Sequence, residues 1–515
     1  MKTVLFLMGM LAWIPGLCQQ MFLMNFDTAA QESEIQQTSL SSTIHYLGAD
    51  FLIASTSEGL PEGSLLLKDR PWDGNNTYFL IWLPSHITGE NLNDRTRWGE
   101  ILYSDGKKAI TEVPDGQLTP RPLMHGGIVR ISPTGGRKVT VWNKSRYVID
   151  TFPVIYTMIA QVDTGEFMPD IRHLEEYGTR YCTSPQAFSA QDWIMDKFES
   201  YPALDVALQD FPYWLGPCSD NVIATLPGKV YPDEFVVVGA HYDSFAWGSS
   251  APGADDNASG TAAVLELARI LSQYAFDRSL VFCCFSAEEE GLIGSEYYAS
   301  QAAALGMNIL GYFNFDMIGY RFQNEPIHTD MIAPPSAKEL SDFYKGVVDI
   351  YLPDFEVYDA QLTGGDSDHT SFNNNGYMGI FPFEDVPNYS PYIHTDQDLV
   401  GPSVNSPEMA GTFIQANLAS VVSLAQPYDP VGITDPGTAS CIHLSPNPAS
   451  STVNLSCLLP GCCDLRITWI NGAEMFSGKF TTSLTIDLSG FVSGLYLVTV
   501  TCGDRKFHRL LMVAK

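Results

Sequence analysis

The chain has 515 residues, 45% of them apolar, enough to build more than one packed domain and too many for a disordered chain. Only 17% are charged, and 59 acidic residues against 28 Lys and Arg leave a formal net charge of −31. A nucleic-acid backbone is bound by clustered Lys and Arg, and no such cluster occurs, so that class of function is set aside. An acidic surface serves solubility or cation binding, and the total does not choose between them.

Met1-Lys2-Thr3 precedes an apolar run over residues 4–17, broken only by Gly and Pro. A basic start, an apolar core shorter than the ~20 residues of a spanning helix and a small-residue end describe a secretory signal. Cleavage after Cys18 leaves Gln19 at the mature end, so residues 1–18 are expected to be a signal peptide. No later stretch is long and apolar enough for a membrane span. Nine cysteines remain, too few in a chain this long for a disulfide scaffold. Cys283 and Cys284 sit in an apolar run and are expected to pack inertly, while Cys182 and Cys218 could pair.

Residues 19–154 mix short alternating runs, such as 77–83 and 127–131, with turn clusters, and are expected to form a β-rich N-terminal domain. Its position suggests a propeptide-like role. Residues 155–428 change to strand followed by helix. Phe235-Val236-Val237-Val238-Gly239-Ala240 is unbroken and apolar, as expected of a strand covered on both faces. Val264, Leu267, Ala268 and Leu271 keep a helical period, residues 279–286 read as a further strand, and 291–304 as a helix. The expected class is α/β, with a mixed, mainly parallel sheet flanked by helices. A linker over 429–440 leads to residues 441–515, where four short strands predict a C-terminal β-sandwich.

Chemistry gathers at the strand ends. The strand at 235–240 runs into His241-Tyr242-Asp243-Ser244, and the next loop reads Pro252-Gly253-Ala254-Asp255-Asp256-Asn257-Ala258-Ser259-Gly260. Glu288-Glu289-Glu290 follows the strand at 279–286, Asp316 follows 309–315, and Ile393-His394-Thr395 comes later. Ligands of such sheets bind at the carboxyl ends of the strands. Carboxylates buried together cost several kcal/mol per ion without positive charge, and these motifs contain almost no Lys or Arg, so a metal is the natural counter-charge. Imidazole and carboxylate suit zinc. Two neutral His and three carboxylates carry −3, which two Zn(II) ions and one bridging hydroxide bring to zero. Asp243, two residues after His241, suits the role of fixing the imidazole tautomer.

These motifs, with Glu288-Glu289-x-Gly291-Leu292-x-Gly294-Ser295, Asp316-Met317 and Ser367-Asp368-His369, make residues 154–426 resemble secreted, zinc-dependent bacterial aminopeptidases of the leucyl type with co-catalytic metals. The resemblance implies a zinc-exopeptidase fold and a metallopeptidase acting on peptides with a free N-terminus. It implies that Asp256 bridges two Zn(II) ions, with Glu289 and His394 completing one site and His241 and Asp316 the other. Glu288 would be the general acid/base and Asp243 the partner of His241, while Asp368 and His369 would be structural. Met317, Phe381, Phe383, Tyr389 and Ile393 match positions lining the side-chain pocket, which implies an apolar first residue. Some members carry a Tyr before Ser367-Asp368-His369; here Gly364 takes that position. A glutaminyl cyclase on the same scaffold and a non-catalytic surface binding protein are the alternatives. Leu444-Ser445-Pro446-Asn447-Pro448-Ala449, Ile486-Asp487-Leu488-Ser489 and Ser493-Gly494-Leu495-Tyr496 resemble the sorting domain of type IX secretion. That implies export through the periplasm by the type IX machinery to a secreted or cell-surface location.

Overall fold

The protein is seen here in a computed structural model. The structure describes residues 19–26, 42–48, 50–69, 76–83, 99–114, 127–131, 149–428 and 442–515, with positions 38, 71 and 147 and without 214–215, 249, 324, 363–364, 458–462, 470–473, 503–504 and 514. The expected signal at 1–18, the linker at 429–440 and Gly364 lie outside those residues.

An eight-stranded mixed sheet is the scaffold of the middle region. Its strands are β1 (Asp205–Gln209), β2 (Asn221–Leu226), β3 (Tyr231–His241), β4 (Arg278–Phe285), β5 (Asn308–Asn314), β6 (His328–Ile332), β7 (Glu356–Ala360) and β8 (Gly379–Phe383), in the order β7-β6-β8-β5-β3-β4-β2-β1. The central pairs β4-β3, β3-β5 and β5-β8 are parallel, as is β6-β7; β2 pairs antiparallel with both its neighbours, and β6 with β8. The α/β class with a mixed, mainly parallel sheet is thus the observed one.

Alternation along the central strands explains the layers. Val236, Val238 and Ala240 of β3, with Leu280, Phe282 and Cys284 of β4, face one core; Val237, Val281, Cys283 and Phe285 face the other. Side chains alternate across a strand, so an unbroken apolar run requires cover on both faces. The first face is covered by α1 (Pro153–Ile159), α2 (Thr164–Glu176), α3 (Pro185–Glu199), α4 (Gly260–Leu271) and, further along the chain, by Lys338–Tyr351 and Pro407–Ala425; the second by Ile293–Leu305 and His369–Asn374. Each such buried Val, Leu or Phe contributes roughly 1.5–3 kcal/mol. Cys283 and Cys284 are fully buried, and burial raises both thiols, consistent with inert packing.

Before this sheet stand two four-stranded antiparallel sheets. Met21, Leu23, Tyr46, Phe51 and Ile53 of one meet Tyr78, Leu80, Trp82, Ile110 and Val129 of the other. Leu292 from the middle region completes this core, so the two regions share packing. The last segment forms a three-stranded and a four-stranded antiparallel sheet around Val453, Leu465, Ile467, Tyr496 and Val498, with a Cys463–Cys502 disulfide. No helix among the described residues is long and apolar enough to cross a membrane.

Candidate metal centre

Parallel pairing of β3, β4 and β5 brings their carboxyl ends to one edge of the sheet. His241 is the last residue of β3; Glu288 and Glu289 follow β4, and Asp316 follows β5. Asp256 comes from the loop between β3 and α4, and His394 from the segment after β8. Backbone strain gathers here as well: Ala287, Met317 and His394 have φ of 57°, 50° and 56°. Left-handed conformations in residues with a Cβ cost of order 1–3 kcal/mol each and persist where surrounding packing imposes them.

Asp256 presents Oδ1 to His241 Nε2 at 3.3 Å and Oδ2 to His394 Nε2 at 3.2 Å. His394 Nε2 lies 3.0 Å from Glu289 Oε2, and His241 Nε2 lies 3.5 Å from Asp316 Oδ1. Ligand atoms around a tetrahedral zinc, with bonds of about 2.0–2.1 Å, sit about 3.3–3.4 Å apart, so these separations fit. His241 Nε2 and Asp316 Oδ1 are buried with no hydrogen-bond partner, as atoms meant for a metal would be. Glu288 Oε2 is 3.9 Å from His241 Nε2, at the same centre.

The electrostatics point the same way. Burial, with Asp256 adding to it, pushes Glu289 up to about 7, and burial drives Glu288 well above the usual carboxylate range. Burial alone would lower His394, but Glu289 and Asp256 outweigh it and raise it to about 10. His241 is likewise raised, by Glu288 and Asp316 against burial. Burial opposes ionisation of Asp256, yet His241 and His394 hold it well below the ordinary range. The buried carboxylates thus favour positive charge at the two imidazoles, the charge a bound metal would supply instead.

Asp243 does more than face His241. Its carboxylate oxygens accept the backbone N–H of Glu288 at 3.1 Å and of Glu289 at 3.2 Å. The His241 Nδ1 atom lies 3.2 Å from the Asp243 carbonyl oxygen and 3.5 Å from its carboxylate, so Nδ1–H is retained and Nε2 is left for the metal. Asp368 and His369 are buried nearby but fall in neither cluster of candidate ligands around His241.

A cleft open to solvent runs from these candidate ligands. Met317, Phe381, Phe383, Tyr389 and Ile393 line one apolar wall. Gly127 and Ile128, from the N-terminal sheets, line another part of it, beside Gly365 and Asp366. Tyr46 Oη donates to Asp366 Oδ2 at 2.9 Å, and the Leu47 N–H to Asn374 Oδ1 at 3.2 Å, tying those sheets to the cleft. Nothing in the sequence of the first 150 residues marked them as part of the site.

Two further residues escaped the sequence. Arg180, a cation outside the motifs themselves, is wholly buried with its guanidinium on the backbone at 242 and 252–253. Asp398, four positions after His394, accepts the backbone N–H groups of Asp255 and Asp256 at 2.9 and 3.0 Å. A lone Arg in Gly178-Thr179-Arg180-Tyr181 carries no pattern, and Asp398 reads as one loop acid among several.

Residues 221–413 match the model of peptidase family M28, and residues 443–514 that of a secretion system C-terminal sorting domain. A probable leucine aminopeptidase of Trichophyton verrucosum is 31% identical over 260 residues, 48% of this chain and 68% of that protein. Leucine aminopeptidase 1 of Chaetomium globosum is 30% identical over 368 residues, 66% of this chain and 85% of that protein. Among solved structures, the LapA aminopeptidase of Legionella pneumophila shares the fold with a TM-score of 0.56 at 19% identity, over 69% of this chain and 99% of that one. With ligand-type residues converging at the strand ends, the chain belongs to peptidase family M28 and is a metallopeptidase with a C-terminal secretion sorting domain.

Proposed function

We propose that this enzyme is an exported aminopeptidase that releases an apolar N-terminal residue from peptides, using two Zn(II) ions and Glu288. The carrying observation is the Asp256 carboxylate, which turns one oxygen to each of two histidines at 3.3 and 3.2 Å. Asp256, Glu289 and His394 would hold one ion, and Asp256, His241 and Asp316 the other. Bound there, the ions would supply Lewis-acid activation of the scissile carbonyl and of the attacking water. Glu288 takes the proton of that water and delivers it to the leaving amine. Asp243 holds the Glu288 backbone in place for both transfers. Met317, Phe381, Phe383, Tyr389 and Ile393 receive the first side chain and exclude water around it, while the free α-amine lies toward the metal-ligand end of the cleft. The sorting domain supports export by the type IX machinery to the cell surface or medium.

The test is purified enzyme with an apolar aminoacyl-anilide, a Gln-initiated peptide and an N-acetylated anilide. Release from the free-amine anilide alone is the expected result. Cyclisation of the Gln peptide without anilide release, or inertness of zinc-loaded protein, overturns the reading.

A further inference from the structure

The loop that carries Asp256 has little regular structure of its own. Gly253 is left-handed (φ 53°), and Asp256 and Asn257 leave the helical region at φ/ψ of −108°/88° and −138°/52°. A Cβ on Gly253 would meet Asp256 O at 2.4 Å, so the chain closes tightly on itself here. Buried peptide groups in such a loop need partners from elsewhere.

They find them on two opposed side chains. Arg180 Nη1 donates to Pro252 O at 2.6 Å and Nη2 to Gly253 O at 2.8 Å. Its Nε donates to Tyr242 O at 2.7 Å, between His241 at the end of β3 and Asp243, and Nη1 also reaches Leu174 O at 2.8 Å. Asp398 accepts the amides of Asp255 and Asp256, one on each carboxylate oxygen, and its backbone carbonyl accepts the amide of Ala254. Arg180 binds carbonyls and Asp398 binds amides of the same short loop, and both side chains are buried. A buried guanidinium ordinarily pairs directly with a carboxylate. Among the described residues Arg180 makes no ion pair within contact distance, and its fork is spent on four backbone carbonyls.

We propose that Arg180 and Asp398 are positioning residues, a two-sided clamp on the loop 252–256 that aims one Asp256 oxygen at each metal. The proposal rests on the two-zinc reading above. Neither side chain lines the cleft; their effect passes through the placement of Asp256. Because Arg180 also grips Tyr242 O, the clamp sets the Asp256 loop relative to the end of β3, where His241 lies. Asp398 sets it relative to the His394 segment.

Two variants of the full chain test this, Asp398→Asn and Arg180→Lys. An Asn amide has one acceptor oxygen, so one of the two backbone N–H groups loses its partner. A Lys keeps the charge but not the planar fork that serves four carbonyls. The apoenzyme is titrated with zinc against a competing chelator, and with Co(II) while the visible spectrum is recorded; thermal unfolding of each variant checks folding. Supporting residues of metal ligands typically change affinity about 10–100-fold, and a loss of that size is expected for the weaker-bound zinc in both variants. The second-equivalent Co(II) spectrum should change, and kcat should fall at least about tenfold with KM within about threefold, recovering in part at excess zinc. Wild-type zinc affinities and an unaltered Co(II) spectrum in a folded Asp398→Asn or Arg180→Lys protein overturn the clamp. Wild-type enzyme that saturates with one zinc overturns the two-metal reading and the clamp with it.

Discussion

Replacing Glu288 by Gln separates chemistry from metal binding. The side chain lies at the floor of the cleft, with Oε2 3.9 Å from His241 Nε2, and its backbone N–H is tied to Asp243 Oδ1 at 3.1 Å. Gln has the same shape, so the backbone tie and the ligands Asp256, Glu289, Asp316, His241 and His394 are left undisturbed. What disappears is a carboxylate that burial raises well above its usual range, which brings it toward the working pH of a proton shuttle. General acid/base groups contribute about 10²–10⁴-fold, equivalent to about 2.7–5.4 kcal/mol of barrier at 1.36 kcal/mol per tenfold. The assay is kcat on an apolar aminoacyl-anilide at saturating zinc, with metal content measured on the same sample. The expected outcome is full metal content and a kcat lower by at least about 10²-fold. A kcat within about threefold of wild type, with both metals present, refutes the role of Glu288.

Chelated enzyme should lose stability as pH rises. His394 is raised from 6.5 to about 10 in the folded state, so its contribution is complete below 6.5 and is lost on passing through about 10. Glu289, raised from 4.5 to about 7, acts in the same direction between those values. Tm against pH, with and without chelator, should show this fall only in the metal-free protein, and a metal-free Tm that climbs from pH 7 to 10 contradicts it. Tyr46→Phe removes the 2.9 Å bond to buried Asp366 and should cost about 1.5–3 kcal/mol in chemical denaturation, with faster proteolysis of the N-terminal sheets. A loss below about 0.5 kcal/mol would mean that this contact does not hold the N-terminal sheets in place. Ile128→Ala opens the wall of the cleft and, at about 0.8 kcal/mol per lost CH₂ contact, should lower kcat/KM for Leu substrates by up to about tenfold. Phe substrates should suffer less; an unchanged Phe-to-Leu ratio removes Ile128 from specificity.

The chain order of apolar runs and polar strand ends already contained the central sheet and the cluster of ligand-type residues at its edge. Residues 236–238 and 280–285 are apolar without alternation, which only a strand covered on both faces satisfies, and His241, Glu288, Glu289 and Asp316 follow directly from such strands. Local pattern carries that information because strand period and strand-end placement are local properties. Some strands were not legible: no strand was expected at Glu474–Phe480 or Arg505–Val513, which become strands by pairing with Cys463–Trp469 and Gly494–Cys502. The same holds for Arg180, Asp398, Tyr46 and Ile128. Each meets the site from a distant part of the sequence, through backbone groups, a side-chain contact or a cleft wall that exist only after packing. Residue types at strand ends therefore pointed to candidate ligands that the fold brings together, whereas tertiary structure alone decided which loop is gripped, which buried cation stands behind it and which sheets wall the cleft. Partnering of buried peptide groups and filling of space depend on what meets in three dimensions, and no run of neighbouring residues records it.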